Sequence, residues 1–137
     1  MILAFGLLHF PRKLSVLDQL NSKKVFYKVP HIRDYDGLQV AIVGAGDSAL
    51  DAALMVQERN GQVDLLSRSE PIGKAQMLQH IQNSGGIVHT KTKISAAKFS
   101  GDQIALTLND GSILNCDLVI VQIGFLAAEE TFDRLDV

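Results

Sequence analysis

The sequence predicts an α/β fold: a parallel sheet laid down as βαβαβ, then a three-stranded antiparallel meander, then one more buried strand. Three observations predict it. Val40-Ala41-Ile42-Val43 is a short apolar run that breaks into Gly44-Ala45-Gly46 and then into an Ala- and Leu-rich segment of helical spacing. Val63-Asp64-Leu65-Leu66-Ser67 follows that helix and reads as a second parallel strand. From Ile94 the pattern changes to short alternating runs separated by Gly101-Asp102 and Asp110-Gly111, which are hairpin signals.

In chain order, Ile2-Leu3-Ala4-Phe5-Gly6 predicts a short buried strand ended by glycine. His9 to Leu14 reads as a turn or linker, because Pro11 cannot sit in a central strand. Leu14 to Val29 has weak periodicity and reads as irregular, with Val25-Phe26-Tyr27 as a short edge strand. Asp36-Gly37 makes the turn into the central strand. The first helix runs from about Ser48 to Arg59, capped by Asp47 or Ser48 and closed by Asn60-Gly61 as a left-handed C-cap. Ser69 to Gly73 is a loop. Lys74 to Ser84 is a second helix with Met77, Leu78 and Ile81 on one face, stopped by Gly85-Gly86. Ile87-Val88-His89 is a third short strand. Ile94 to Phe99, Gln103 to Leu108 and Ser112 to Cys116 form the meander, and Asp117 to Gly124 returns to a buried strand.

The 137 residues predict one domain with a full core. A net charge of -2 argues against a nucleic-acid surface. The single cysteine excludes an internal disulfide and any multi-cysteine metal site. Cys116 lies in an apolar run and reads as a buried small residue. Met1 to Phe10 is apolar, but it lacks a basic start and is too short to span a bilayer. No membrane contact is expected, and a reduced cytoplasmic setting is the default.

The chemistry is concentrated at Gly44-x-Gly46-x-x-Ala49. With a strand before it and a helix after it, this is the dinucleotide fingerprint of a Rossmann-like sheet. Gly44 permits the tight turn, Gly46 lets a pyrophosphate approach the backbone, and Ala49 lets the helix pack close to the strand. Ala45, Asp47 and Ser48 complete a turn whose free N–H groups and helix dipole face the phosphates. The plain alternative is a glycine-rich turn that only packs the helix. The tip of the second strand reads Ser67-Arg68-Ser69 and carries no carboxylate to grip a bare ribose. Asp64 stands about two residues too early for that role. Arg68 suits a 2′-phosphate, with Ser67 and Ser69 as hydroxyl donors and Lys74 as a second charge, which favours NADPH over NADH. The alternative for Arg68 is a solvated surface residue. No catalytic constellation is visible. His9, His31, His80 and His89 lack metal-ligand spacing and read as surface or turn residues, and there is neither Cys-x-x-Cys nor Tyr-x-x-x-Lys.

These residues resemble a known family. Val40 to Asp51 is similar to the NADPH-domain fingerprint of the thioredoxin reductase-like flavoproteins, and most of all to their ferredoxin/flavodoxin–NADP reductases. Leu66-Ser67-Arg68-Ser69 sits where that family carries His-Arg-Arg. Asp117 to Phe125 resembles its late strand near the nicotinamide, which adds Ile123 and Gly124 to the expected cofactor-binding residues. Ile2 to Gly6 with Pro11-Arg12-Lys13-Leu14 resembles the crossover out of the flavin domain. Phe26 to Arg33 holds no cysteine where thioredoxin reductases carry their redox pair, which favours the ferredoxin reductase branch. Ser69 replaces the second arginine of His-Arg-Arg and weakens the NADP preference. The flavin domain's own fingerprint and Gly-Asp segment are absent. The resemblance therefore implies a single NAD(P)H-binding domain over residues 1–137, with 1–20 and 124–137 as connections to a flavin domain elsewhere. It also implies FAD in the parent protein, a homodimer, and ferredoxin or flavodoxin as acceptor. A rival from a different class is a non-catalytic NAD(P)-binding, redox-sensing module.

Overall fold

The structure, a computed structural model, describes residues 9–11, 15–20, 24–44, 46–68, 70, 75–123 and 125–127. The elements in order are β1 (His9–Pro11), a 3-10 helix (Ser15–Leu20), β2 (Val25–Phe26), β3 (Gln39–Val43) and α1 (Asp47–Glu58). Then come β4 (Gln62–Leu66), α2 (Ala75–Asn83), β5 (Ile87–His89), β6 (Ile94–Ser100) and β7 (Gln103–Leu108). β8 (Ile113–Cys116), β9 (Leu118–Val121) and β10 (Phe125–Ala127) follow. A five-stranded sheet has the order β2-β9-β3-β4-β5, and every pairing in it is parallel. β6-β7-β8 is the antiparallel meander, and β1 pairs antiparallel with β10.

Period-2 alternation divides the parallel sheet between two cores. Val40, Ile42, Val63, Leu65 and Ile120 face α1 and α2, meeting Ala49, Leu50, Ala53, Val56 and Ile81. Ala41, Val43, Leu66, Val119 and Val121 face the other way, onto Ile104, Leu106 and Cys116 of the meander and Leu17 and Leu20 of the 3-10 helix. Both faces are covered, so the strands read as continuous apolar runs. Each fully buried Leu or Ile in these layers contributes about 1.5–3 kcal/mol of transfer free energy. The chain is thus a three-layer molecule of helices, parallel sheet and meander.

Both helices end in the same way. Gly61 N–H donates to the Val56 carbonyl at 2.9 Å and Asn60 N–H to Gln57 at 3.1 Å, with Asn60 left-handed at φ 72. Gly86 N–H donates to Ile81 at 2.9 Å and Gly85 N–H to Gln82 at 3.1 Å, with Gly85 at φ 92. These are Schellman closures, and each satisfies carbonyls the helix would leave open.

Several expectations need correction. His9–Pro11 is a strand rather than a linker. Among the described residues β1 pairs with β10 alone, and an edge strand of this kind tolerates a proline. Residues 15–20 are helical rather than irregular, because Leu17 and Leu20 gain burial on the second core. Neither Asp47 nor Ser48 caps α1: the N-cap is Gly46, in an extended conformation with no side-chain cap bond. The late strand begins at Leu118, since Asp117 turns aside to accept a hydrogen bond from the Gln39 N–H at 2.8 Å. The expected strand at Ile2–Gly6 lies outside the described residues.

Candidate functional site at the carboxyl edge of the parallel sheet

The strand order reverses between β9 and β3. β3, β4 and β5 run outward on one side, while β9 and β2 lie on the other. Ligands of such sheets bind at that switch point, beyond the carboxyl ends of the strands. The turn after β3 occupies this place.

Gly44 is walled in there. It has φ 150, and a Cβ on it would run into the Gln122 carbonyl oxygen and stand 2.9 Å from the Ala49 Cβ. Its N–H donates to the Leu66 carbonyl at 2.9 Å, and Gln122 N–H donates to Val43 at 2.8 Å. Ala49 is fully buried, so α1 comes as close to the turn as a methyl side chain allows. Gly46 is the opposite case. A Cβ there would meet nothing within 4 Å, and its carbonyl accepts from Ala49 N–H at 3.1 Å and Leu50 N–H at 3.2 Å. Asp47 and Ser48, both exposed, form the first turn. The result is an open backbone surface with uncapped N–H groups at the positive end of a helix of 12 residues, an arrangement that seats an anion. Ala45 lies outside the described residues.

At the tip of β4, Ser67 is fully buried. Its N–H donates to His89 O at 2.8 Å and its carbonyl accepts from Thr92 N–H at 2.8 Å. Arg68 follows and is exposed. It lines a cleft of about 150 Å³ with Val43, Leu66, Thr92, Lys93 and Ile94. That volume is smaller than a whole-ligand pocket. Ile123, half-buried, leaves the end of β9 on the far side of the Gly44 turn. The structure therefore gathers Gly44, Gly46, Asp47, Ser48, Ala49, Ser67, Arg68 and Ile123 at one edge of one sheet. Ser69, Lys74 and Gly124 lie outside the described residues.

Asp64 is inside β4, 6% exposed, and its Oδ1 is 3.0 Å from His89 Nε2. Its carboxylate is used within the fold. His89 lies in the short strand expected for it, but it is half-buried with an acidic partner rather than a surface residue. The missed signal was the register: parallel pairing sets Asp64 against Ile87 and Leu66 against His89, so Asp64 and His89 are diagonal neighbours on one face. Sequence reasoning also passed over Lys93, whose place in the cleft follows from the fold alone.

Among the described residues no group of three or more His, Cys, Asp or Glu could hold a metal ion. Cys116 is fully buried, and burial, reinforced by the Asp117 and Asp64 carboxylates, pushes its thiol up to about 12. It is no thiolate at neutral pH. No helix among the described residues is long and apolar enough to cross a membrane.

Comparison with known proteins gives relatives in sequence and in fold. A ferredoxin–NADP reductase of Pediococcus pentosaceus is 30% identical over 128 residues, covering 88% of this chain and 39% of the relative. A second, from Lactococcus lactis subsp. cremoris, is 31% identical over 123 residues, covering 85% and 38%. The chain spans less than half the length of these curated relatives. Among solved structures, thioredoxin reductase from Giardia duodenalis superposes with a TM-score of 0.74 at 20% identity, over 89% of this chain and 43% of that one. A chain of the covalent putidaredoxin reductase–putidaredoxin complex superposes with a TM-score of 0.71 at 23% identity, over 85% and 33%. At such identities these two share the fold. The family model for pyridine nucleotide-disulphide oxidoreductases matches residues 1–130 of the 137, and the chain belongs to that family.

Proposed function

We propose that this chain is the NADPH-binding unit of a larger flavin-dependent reductase that delivers electrons to ferredoxin or flavodoxin. The observation that carries the reading is the contrast within one turn: Gly44 has no room for a side chain and Gly46 faces open space. Packing accounts for the first glycine and leaves the second unexplained, whereas a pyrophosphate resting on the backbone requires both.

Gly44, Ala45, Gly46, Asp47, Ser48 and Ala49 hold the pyrophosphate through backbone N–H groups and the α1 dipole. Arg68 meets the adenosine 2′-phosphate, flanked by Ser69 and Lys74. Ser67 acts through its backbone, tying the tip of β4 to β5 and the following bend. Ile123 and Gly124 take the nicotinamide end. When bound, NADPH supplies the hydride and FAD, on a part of the parent outside these residues, supplies the electron chemistry. This chain binds, orients and selects the nucleotide. The pairing of β1 with β10 supports the wider arrangement, because it brings residues 9–11 and 125–127 side by side as two connections leaving together. In the parent protein we expect a homodimer in the cytoplasm.

Two measurements test this. Calorimetric titration should show NADPH binding to the chain, and more tightly than NADH. The purified chain should be colourless and should not oxidise NADPH with a dye acceptor. A yellow preparation, or dye reduction, would show that flavin chemistry resides in these residues. Absence of nucleotide binding would remove the assignment.

A further inference from the structure

We infer that the bend at Thr90–Lys93, between β5 and β6, forms the second wall of the 2′-phosphate site, with Lys93 as the cation that works beside Arg68. This rests on the reading of the chain as an NADPH-binding unit and extends it to a segment remote in sequence from the fingerprint.

Four observations converge on the bend. Arg68 and Lys93 line the same cleft, over an apolar floor of Val43, Leu66 and Ile94. Each directly follows a residue of one backbone hydrogen bond: Thr92 N–H donates to Ser67 O at 2.8 Å, so the two cations leave from neighbouring points. The bend is held from its other side by Asn109. The Asn109 Oδ1 accepts the Lys93 N–H at 3.2 Å, its Nδ2 donates to Lys91 O at 3.1 Å, and its N–H donates to Lys93 O at 3.0 Å. Finally, Lys91 is left-handed at φ 51 and is not glycine. Backbone strain of this kind persists only where the surroundings over-determine it, and it gathers at ligand sites. Thr92 Oγ1 donates to Thr90 O at 2.8 Å and stiffens the same turn.

The chemistry fits a phosphate monoester. Such a group carries close to two negative charges at neutral pH, more than one guanidinium neutralises. Arg68 offers a planar fork and Lys93 a point charge, complementary ways of meeting one dianion. Neither has a carboxylate partner among the described residues, and the Asp64 carboxylate inside β4 is held by His89. Because the two cations come from segments locked together by backbone bonds, little ordering is needed on binding.

The experiment is calorimetric titration of NADPH, NADH and adenosine 2′,5′-bisphosphate into wild type, Lys93→Met, Lys93→Arg and Arg68→Ala. The expected result is a loss of roughly 3- to 10-fold in affinity for NADPH and the bisphosphate in Lys93→Met, with NADH unchanged and Lys93→Arg close to wild type. The difference between wild type and Lys93→Met should shrink as salt is raised. Lys93 is exposed, so circular dichroism should show the Lys93→Met fold intact. Unchanged NADPH affinity in Lys93→Met, or equal loss for NADH, overturns the role of Lys93. If wild type prefers NADPH, and Arg68→Ala loses that preference while Lys93→Met keeps it, this inference falls alone. A wild type that binds both dinucleotides equally overturns the NADPH reading and this inference with it.

Discussion

The two edges of the parallel sheet are built by the same strands and differ in every other respect. The amino edge is sealed. Tyr35 N–H donates to Arg59 O at 2.6 Å, Gln62 N–H to Leu38 O at 3.0 Å, and Gln39 and Asp117 exchange bonds at 2.8 Å and 2.7 Å. Two of its glycines are tightly enclosed: a Cβ on Gly61 would collide with Val56 Cγ1 and stand 2.8 Å from Tyr35 Cβ, and one on Gly86 would stand 2.7 Å from Ile81 Cγ2, whereas Gly37 and Gly85 are left-handed turn residues with open space around them. The carboxyl edge is open. A Cβ on Gly46 would meet nothing within 4 Å, α1 begins without a side-chain cap, Arg68 is exposed, and Lys91 is held left-handed. One edge spends its glycines on closing loops, and the other leaves polar backbone unpaired. The difference separates the edge that closes the fold from the edge where the proposed nucleotide site lies.

Substitution at the two kinds of glycine should separate these roles. Gly61→Val has the largest expected effect. It forces a branched side chain into Val56 and Tyr35, and overpacking of this severity costs about 3 kcal/mol. Thermal melting should shift down by roughly 10 °C, while the folded protein binds NADPH as before. A wild-type melting temperature would break the claim that this edge is sealed.

Gly46→Val should do the reverse. The side chain has free space in the fold, and the poorer N-cap costs about 1 kcal/mol or less. NADPH affinity should fall about 100-fold or more, because the branched carbons occupy the room a pyrophosphate needs. Calorimetry on a folded variant that still bound NADPH normally would remove the fingerprint's role.

Arg68→Ala should cost less and act on one nucleotide only. A charge-assisted arginine–phosphate contact is worth roughly 1.5–3 kcal/mol, and sharing with a second cation puts the loss near 10-fold for NADPH. NADH binding should barely change. Equal losses for both would place Arg68 on the pyrophosphate or in folding.

Legibility in the sequence followed the range of the interaction. β3, α1, β4, α2, β5 and the meander were readable because periodicity and Gly-Asp or Asp-Gly turns are local signals. Asn60-Gly61 and Gly85-Gly86 announced both helix ends for the same reason. What the residues did not disclose is long-range. The pairing of His9–Pro11 with Phe125–Ala127 joins opposite ends of the chain. The helix at Ser15–Leu20 exists because Leu17 and Leu20 find the meander. Of the candidate site, the fingerprint turn and the position of Arg68 at the tip of β4 were legible, whereas the place of Lys93 in the cleft was not, because the bend reaches β4 only once β5 has paired beside it.

The smallest expected effect sharpens the comparison most finely, because each edge carries one left-handed non-glycine residue among those described: Asn60 at φ 72 and Lys91 at φ 51. A left-handed conformation costs an ordinary L-residue about 1–2 kcal/mol, while asparagine enters it routinely. Replacement by glycine removes that penalty and adds back roughly 0.5–1 kcal/mol of backbone entropy. Lys91→Gly should therefore raise stability by up to about 1 kcal/mol. Its bonds to Asn109 are retained, since they use the Lys91 and Lys93 backbone. Asn60→Gly should be neutral or slightly destabilising, because asparagine is barely strained there and its Nδ2 bond to Asp34 Oδ1, 3.3 Å long, is lost. Denaturant melts of the two variants measure the difference directly. A gain at Lys91 with none at Asn60 locates the strain at the open edge, whereas the opposite order would show that the bend at Lys91 is relaxed.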